Sequence, residues 1–232
     1  MFDVTIVMPV YNEAECIGGV LSDWTAELDR LKINYRLLVL NDGSRDNTAV
    51  VLEQSAQPPR LKIINKPNSG HGPTILQGYQ TAAAEARWVF QVDSDNEMEA
   101  CHFRKVWELR NDAEAVIGIR DGRLQPLPRK IISTVSRMIV AVFYGSGIAD
   151  VNCPYRLIKS DVLNTLLPKI PGNTFAPNVA ISGLLALHKH SVKNVPIPHN
   201  DRQTGEVSIK KWGLFKAAIR SLCQTITIRF TL

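Results

Sequence analysis

Through the first hundred residues, short apolar runs alternate with segments whose apolar positions recur every three or four residues. "DVTIVMPV" (3–10) is an apolar run with Pro9 near its end, the pattern of a buried strand. The helical segment after it brings Ile17, Val20, Leu21, Trp24, Leu28 and Leu31 to one side, and Asn12 with Glu15 has the form of a capping box opening it. "YRLLVLND" (35–42), "RLKIIN" (60–65) and "RWVFQVD" (87–93) repeat the strand pattern. Between them "NTAVVLEQSA", with Asp46 placed to cap it, and "PTILQGYQTAAAEA" read as helices. This alternation predicts βαβ units: an α/β, Rossmann-like, mostly parallel sheet flanked by helices. Ligands of such sheets bind beyond the carboxyl ends of the strands. The groups that end the strands should therefore share one rim: Pro9 to Glu13, Asn41 to Ser44, Asn68 to Gly72, and Asp93-Ser94-Asp95.

After "AEAVIGIRDGR" (113–123), another strand and turn, the pattern changes. "RKIISTVSRMIVAVFYG" (129–145) sets Ile131, Ile132, Val135, Met138, Ile139, Val142 and Phe143 on one helical face, with Ser133, Ser136 and Arg137 opposite. "DVNCPYRLIKS" (150–160) reads as a strand, "APNVAISGLLALHKH" as a helix and "SVKNVPIPH" as a strand. The segment 210–229 gathers Trp212, Phe215, Ile219, Leu222 and Ile226 on one side and carries Lys211, Lys216 and Arg220 as cations. With no repeat or linker in view, one domain over 1–232 is expected, with halves 1–100 and 101–232.

Composition narrows the class. The 232 residues are 45% hydrophobic, enough for a substantial core. Cys16, Cys101, Cys153 and Cys223 form no C-x-x-C pair, which argues against a disulfide framework or zinc site and for a reducing compartment. The N-terminus lacks a basic signal-peptide region, and no apolar run approaches the roughly 18 residues of a membrane span. The net charge of +5 conceals an asymmetry: residues 1–100 hold 8 Lys/Arg and 14 Asp/Glu, and residues 101–232 hold 19 and 8. The basic half is either a solvated surface or one that meets phosphates or anionic lipid. Nucleic acid is not expected, because no recognition motif is present.

The chemistry concentrates in "VDSDNEME". Asp93 and Asp95, two residues apart where a strand gives way to a turn, can reach one ion. Oxygen donors without His or Cys select Mg²⁺ or Mn²⁺, held together with substrate phosphates. The other reading is a helix N-terminus, where acidic residues are favoured. Asp42 in "NDGS" is placed to accept hydrogen bonds from a base or ribose, Tyr11 offers a stacking face, and Glu13 an acceptor. "NSGHGP" (68–73) is a turn feeding a helix N-terminus, where phosphate binds readily. His71 is either part of that turn or a ligand.

Taken in order, "PVYNEAE", "NDGSRDNT", "NSGHGPTILQGY" and "VDSDNE" resemble the family 2 glycosyltransferases of GT-A fold. "GIRDGR", "RKIIS", "DVNCPYRL" and "RQTGEVS" extend the resemblance to the branch of dolichyl-phosphate mannose synthases and polyprenyl-phosphate glycosyltransferases. The resemblance implies a GDP- or UDP-linked sugar across the strand ends, with Pro9, Tyr11, Glu13, Asp42, Asp93 and Ser94 on the donor. Asp93, Asp95 and Glu97 would hold the metal. Glu97 departs from the glutamine usual there, and Asn41-Asp42 replaces the usual aspartate pair. Arg120, Arg129, Arg156, Arg202 and Ser208 are the phosphate candidates, since guanidinium binds phosphate bidentately. A phosphate acceptor needs no general base; for a hydroxyl acceptor the candidate base is Asp150.

The expectation is therefore an inverting hexosyltransferase acting on a polyprenyl (dolichyl-type) phosphate. The alternatives are transfer to a hydroxyl of a glycan or lipid-linked saccharide, or a silent nucleotide-sugar-binding membrane adaptor. Helices 129–145 and 210–229 either pack on the core or lie in a membrane interface with cations toward lipid phosphate. The latter gives a cytoplasmic enzyme peripheral to the inner face of a membrane, with a membrane-protein partner or a homo-oligomer as possible assemblies.

Overall fold

A computed structural model describes residues 1–55, 59–122, 127–200 and 211–231, with the backbone alone at 127–129 and 211–215. Seven strands form one sheet: β1 (Phe2–Val10), β2 (Tyr35–Asp42), β3 (Leu61–Lys66), β4 (Ala86–Gln91), β5 (Ala115–Asp121), β6 (Arg156–Lys159) and β7 (Val192–Pro198). Their order is β3-β2-β1-β4-β6-β5-β7. The strands β3, β2, β1 and β4 are parallel neighbours, β6 runs antiparallel to both β4 and β5, and β5 pairs in parallel with β7. A parallel sheet is covered on both faces, and β1 accordingly is buried at every position from Val4 to Val10.

The helices are α1 (Ile17–Arg30), α2 (Thr48–Gln54), α3 (His71–Ala83), α4 (Phe103–Glu108), α5 (Leu127–Phe143), α6 (Ser160–Leu166), α7 (Pro177–Leu187) and α8 (Lys211–Phe230). The core joins both halves of the chain. Phe90 of β4 lies 5.4 Å from the Trp24 ring, 4.9 Å from Phe103 and 4.7 Å from Tyr155, in tilted and edge-to-face geometries favoured by aromatic rings.

Four differences from the sequence pattern have local causes. The capping box does not form: Asn12 sits at φ 55°, its side-chain oxygen accepts the Arg45 N–H at 2.8 Å, and α1 begins only at Ile17. The strand expected over 150–160 is confined to Arg156–Lys159, because the carbonyls of Val151 and Cys153 are taken by the Arg156 guanidinium. The helices α4 and α6 were hidden by brevity, six and seven residues being too short to show a period. The fourth concerns α5, part of whose apolar stripe faces outward while Ile132, Val135, Ile139 and Phe143 are half-buried. Ser136, Val140 and Tyr144 are buried, while Ile131, Met138 and Val142 are 61%, 59% and 75% exposed. Tyr144 anchors this orientation by donating its hydroxyl to the Thr225 carbonyl at 2.5 Å, and α8 likewise buries Ser221, Thr225 and Ile228 while exposing Ile219. Among the described residues no helix is long and apolar enough to cross a membrane.

Close packing of α3 on the sheet depends on Gly78, where an added Cβ would stand 2.3 Å from Val7 Cγ1 and 3.0 Å from Leu40 Cδ1. Val7 is β-branched and buried, so it has no room to yield. Gly78→Ala is expected to destabilise the fold by about 1–3 kcal/mol, seen as a lower urea midpoint at unchanged slope.

Candidate active site

The carboxyl ends of β1, β2 and β4 and the β3–α3 turn open into one cavity of about 500 Å³. Pro9, Tyr11, Glu13, Asp42, His71, Asp93, Ser94 and Asp95 line it from the first half. Arg120, Asn152, Pro154 and the segment Phe175–Asn178 line it from the second. The expected rim is thus assembled, and a wall from the other half closes it.

Asp42 organises the end of the cavity beside β2. Its carboxylate is nearly buried and accepts from Lys66 Nζ, from the Ser69 N–H at 2.8 Å and from the Gly70 N–H at 2.9 Å. Burial alone would raise its pKa, but the lysine and the backbone donors bring it below the ordinary value. Its first use is therefore to fold the 68–70 turn against β2. Gly43 makes this approach possible: at φ +69°, a Cβ there would lie 2.7 Å from the Asn68 nitrogen. Asn41 accepts from the Ser44 N–H and hydroxyl (3.1 and 2.6 Å) and donates to Asn65 at 2.9 Å.

The two aspartates after β4 are held differently. Asp93 Oδ1 accepts from Gln91 Nε2 at 3.1 Å and stands 3.7 Å from His71 Nε2. Gln91 is itself buried and fixed by Asn178 Nδ2 (2.8 Å) and the Tyr79 hydroxyl (3.3 Å). Asp95 Oδ1 accepts the Glu97 N–H at 3.2 Å across a sharp turn at Asn96, φ 57°. Both aspartates reach the cavity as hard oxygen donors, a set that fits Mg²⁺ or Mn²⁺.

Several expected residues stand elsewhere. Glu97 does not line the cavity; its carboxylate meets His199 Nε2 at 2.9 Å, and its carbonyl accepts the Asn200 N–H at 2.9 Å. Arg156 has no solvent exposure and donates to the carbonyls of Cys153, Asn178 and Val151 and to Ser182 Oγ. It is a buried structural cation, not a phosphate ligand. Asp150 grips Arg120 through two bonds of 2.7 and 2.8 Å and does not line the cavity, which suits a counter-ion better than a base. Arg202 and Ser208 lie outside the described residues, and Arg129 stands in the first turn of α5 with its side chain outside them. Sequence reasoning missed Gln91, Asn178 and Phe175. The lone amide inside "WVFQV" was the available signal for the first.

The chain matches the model of "Glycosyl transferase family 2" over residues 5–167 and belongs to that family. Among curated relatives, an undecaprenyl-phosphate 4-deoxy-4-formamido-L-arabinose transferase of Edwardsiella ictaluri is 26% identical over 218 residues, covering 92% of this chain and 64% of that protein. A dolichyl-phosphate beta-glucosyltransferase of Trichomonas vaginalis is 26% identical over 237 residues, covering 93% and 68%. The chain spans about six-tenths of the length of the first of these. Among solved structures, mannosyl-3-phosphoglycerate synthase from Rubrobacter xylanophilus superposes with TM-score 0.72 at 15% identity, covering all of this chain and 76% of that one. Glucosyl-3-phosphoglycerate synthase from Mycobacterium tuberculosis, in complex with Mn²⁺, uridine diphosphate and glucosyl-3-phosphoglycerate, superposes with TM-score 0.69 at 14% identity, covering all of this chain and 81% of that one. The fold is the GT-A type.

The Arg120–Asp150 pair has a pH signature. Burial would raise the Asp150 carboxyl, but the Arg120 guanidinium pulls it below the ordinary 3.8. A depressed folded pKa contributes stability that is present above the unfolded value and lost as pH falls through the folded one. Asp150→Asn is therefore expected to lower the melting temperature at neutral pH. The gap to wild type should narrow as the pH drops below 3.8, as followed by thermal melts across an acid series.

Proposed function

We propose that this protein transfers a sugar from a nucleotide sugar to a polyprenyl phosphate. The observation that carries the reading is the charge of the cavity. Among the described residues Glu13, Asp93 and Asp95 line it beside Asp42, which Lys66 already pairs, and the guanidinium lining it, Arg120, is already matched by Asp150. A diphosphate is repelled by such a wall unless a cation enters with it. A bound Mg²⁺ or Mn²⁺ would neutralise the charge that develops on the departing nucleoside diphosphate.

The residues of this chain supply the rest. Tyr11, 37% exposed at the cavity mouth, offers its ring to the base. Glu13 and Asp42 offer carboxylates toward the nucleoside, and Asp93, locked by Gln91, presents a fixed oxygen toward the metal and sugar. Arg120 faces the phosphates across the cavity. A phosphate acceptor is already anionic, so direct displacement with inversion needs no proton removed, in keeping with an Asp150 committed to Arg120. The names of the curated relatives support this acceptor class. The sheet that runs unbroken through both halves supports one functional unit, with 1–100 on the donor side and 101–232 on the acceptor side.

Transfer assays on short-chain polyprenyl phosphates, with UDP- and GDP-sugars and Mn²⁺ or Mg²⁺, test the reading. Activity confined to hydroxyl acceptors, or nucleotide binding without turnover, sinks it. Asp95→Asn should reduce transfer by about 100-fold or more, the scale of a lost electrostatic contact at a transition state. It should also abolish the thermal stabilisation by UDP plus Mn²⁺, while the unliganded melting temperature stays near wild type.

The outward stripe of α5 and α8 supports a peripheral seat on anionic lipid. Ile131, Met138, Val142 and Ile219 are exposed beside the exposed cations Lys130, Arg137, Lys216 and Arg220. Co-sedimentation with vesicles containing about 30% anionic lipid should fall several-fold for Met138→Asp combined with Val142→Asp. Undiminished binding would remove α5 from the contact.

A further inference from the structure

The loop entering α7 lines the cavity through Phe175 and Ala176 and is trapped between two helices. On one side lies the first turn of α3, where a Cβ on Gly72 would fall 2.2 Å from the Thr174 carbonyl oxygen and 2.5 Å from that of Phe175. Thr174 is buried there and closes its own turn, donating its hydroxyl to the Pro171 carbonyl at 2.6 Å. On the other side lies α8. Gln224 Oε1 accepts the Phe175 N–H at 2.8 Å, and Gln224 Nε2 donates to the Asn173 carbonyl at 3.3 Å. One turn earlier, the Arg220 guanidinium stands 5.9 Å from the centre of the Phe175 ring.

The chemistry of this contact is selective. A loop that presents one N–H and one carbonyl, two residues apart, is matched by a group carrying both an acceptor and a donor on a flat frame, which is what a carboxamide is. A helix that only needed packing at this point would be served by an apolar side chain. The cavity wall here is apolar, built from Phe175, Ala176, Pro177 and Pro154, in contrast to the carboxylates of the donor end. Such a wall suits the hydrocarbon next to an acceptor phosphate and does nothing for a nucleoside diphosphate.

We propose that Gln224 is a positioning residue for the acceptor: from α8 it clips the 173–175 loop and so fixes the apolar wall against which the acceptor is held. The assignment of an acceptor side rests on the function proposed above. Because Lys216, Ile219 and Arg220 share the same helix, a surface that seats α8 also bears on the shape of the cavity.

The full chain carrying Gln224→Ala or Gln224→Glu provides the test. Gln224→Ala is expected to raise the acceptor KM about tenfold, the scale of one or two lost hydrogen bonds, with donor KM and UDP–Mn²⁺ affinity within twofold of wild type. Amide exchange at Phe175, whose N–H donates to Gln224, should quicken about tenfold. Gln224→Glu keeps the acceptor for that N–H but loses the donor to Asn173, so it should fall between. An unchanged acceptor KM, or donor and acceptor KM rising together, overturns the proposal. Unchanged exchange at Phe175 overturns it independently of any activity. If the wild type uses only hydroxyl acceptors, the polyprenyl reading fails separately, and the KM for that acceptor decides the clip.

Discussion

A guanidinium with no access to water stands where β4 meets β6, and the site is built around it. Arg156 pairs in register with Gln91, the last residue of β4. From that place it donates to carbonyls before β6 and on α7, fixing 151–153 and the start of α7 relative to the sheet. Isolating a charge from water is costly unless its donors are all met, so the surrounding backbone has little freedom to rearrange. Gln91 continues the same network on the other strand, its amide oxygen accepting from Asn178 and Tyr79 and its amide nitrogen donating to Asp93. The orientation of a carboxylate at the cavity is thus set by a polar seam between the two halves of the chain.

That seam explains why an antiparallel strand interrupts an otherwise parallel sheet. Parallel β4 ends at the rim, and only a strand arriving from the rim side can begin there and place its first residue beside Gln91. β6 does so, and β5 and β7 then extend the sheet beyond it. The carboxylates after β4 and the apolar wall come to face one cavity because both are anchored to this junction.

How legible this was in the sequence follows from the range of each interaction. The first four strands and their terminal aspartates were readable, since buried parallel strands announce themselves as continuous apolar runs and a rim follows from the topology. Arg156 reads as a phosphate candidate because the acceptors that occupy it, up to 26 positions away, are not visible from its neighbours in the chain. Glu97 enters the metal set through the family resemblance, as a carboxylate where a glutamine is usual, yet it pairs with His199 just past β7. Asn178 reaches Gln91 across 87 positions from within a helix that reads as apolar. Spacing along the chain carries local geometry; it carries nothing about a partner brought in by the fold.

The orientation of α5 was the hardest to read, for a physical reason. Amphipathic helices normally bury their apolar stripe, yet a basic one can also lie in an interface, so a pattern with Ile131, Met138 and Val142 on one face leaves both orientations open. Here the inward face is made of Ser136, Val140 and Tyr144, and the facing side of α8 offers Ser221 and Thr225. Small hydroxyl residues allow two helices to approach closely and satisfy themselves on backbone carbonyls, as Thr225 does on Ser221 at 2.8 Å. Leaving the larger apolar side chains outside carries a hydration penalty of about 25 cal/mol for each Å² exposed, which only an apolar environment relieves. Helix α8, which exposes Ile219 beside this stripe, also holds the loop beside the cavity through Gln224, so the exposed apolar surface and the apolar wall of the cavity are joined by one helix.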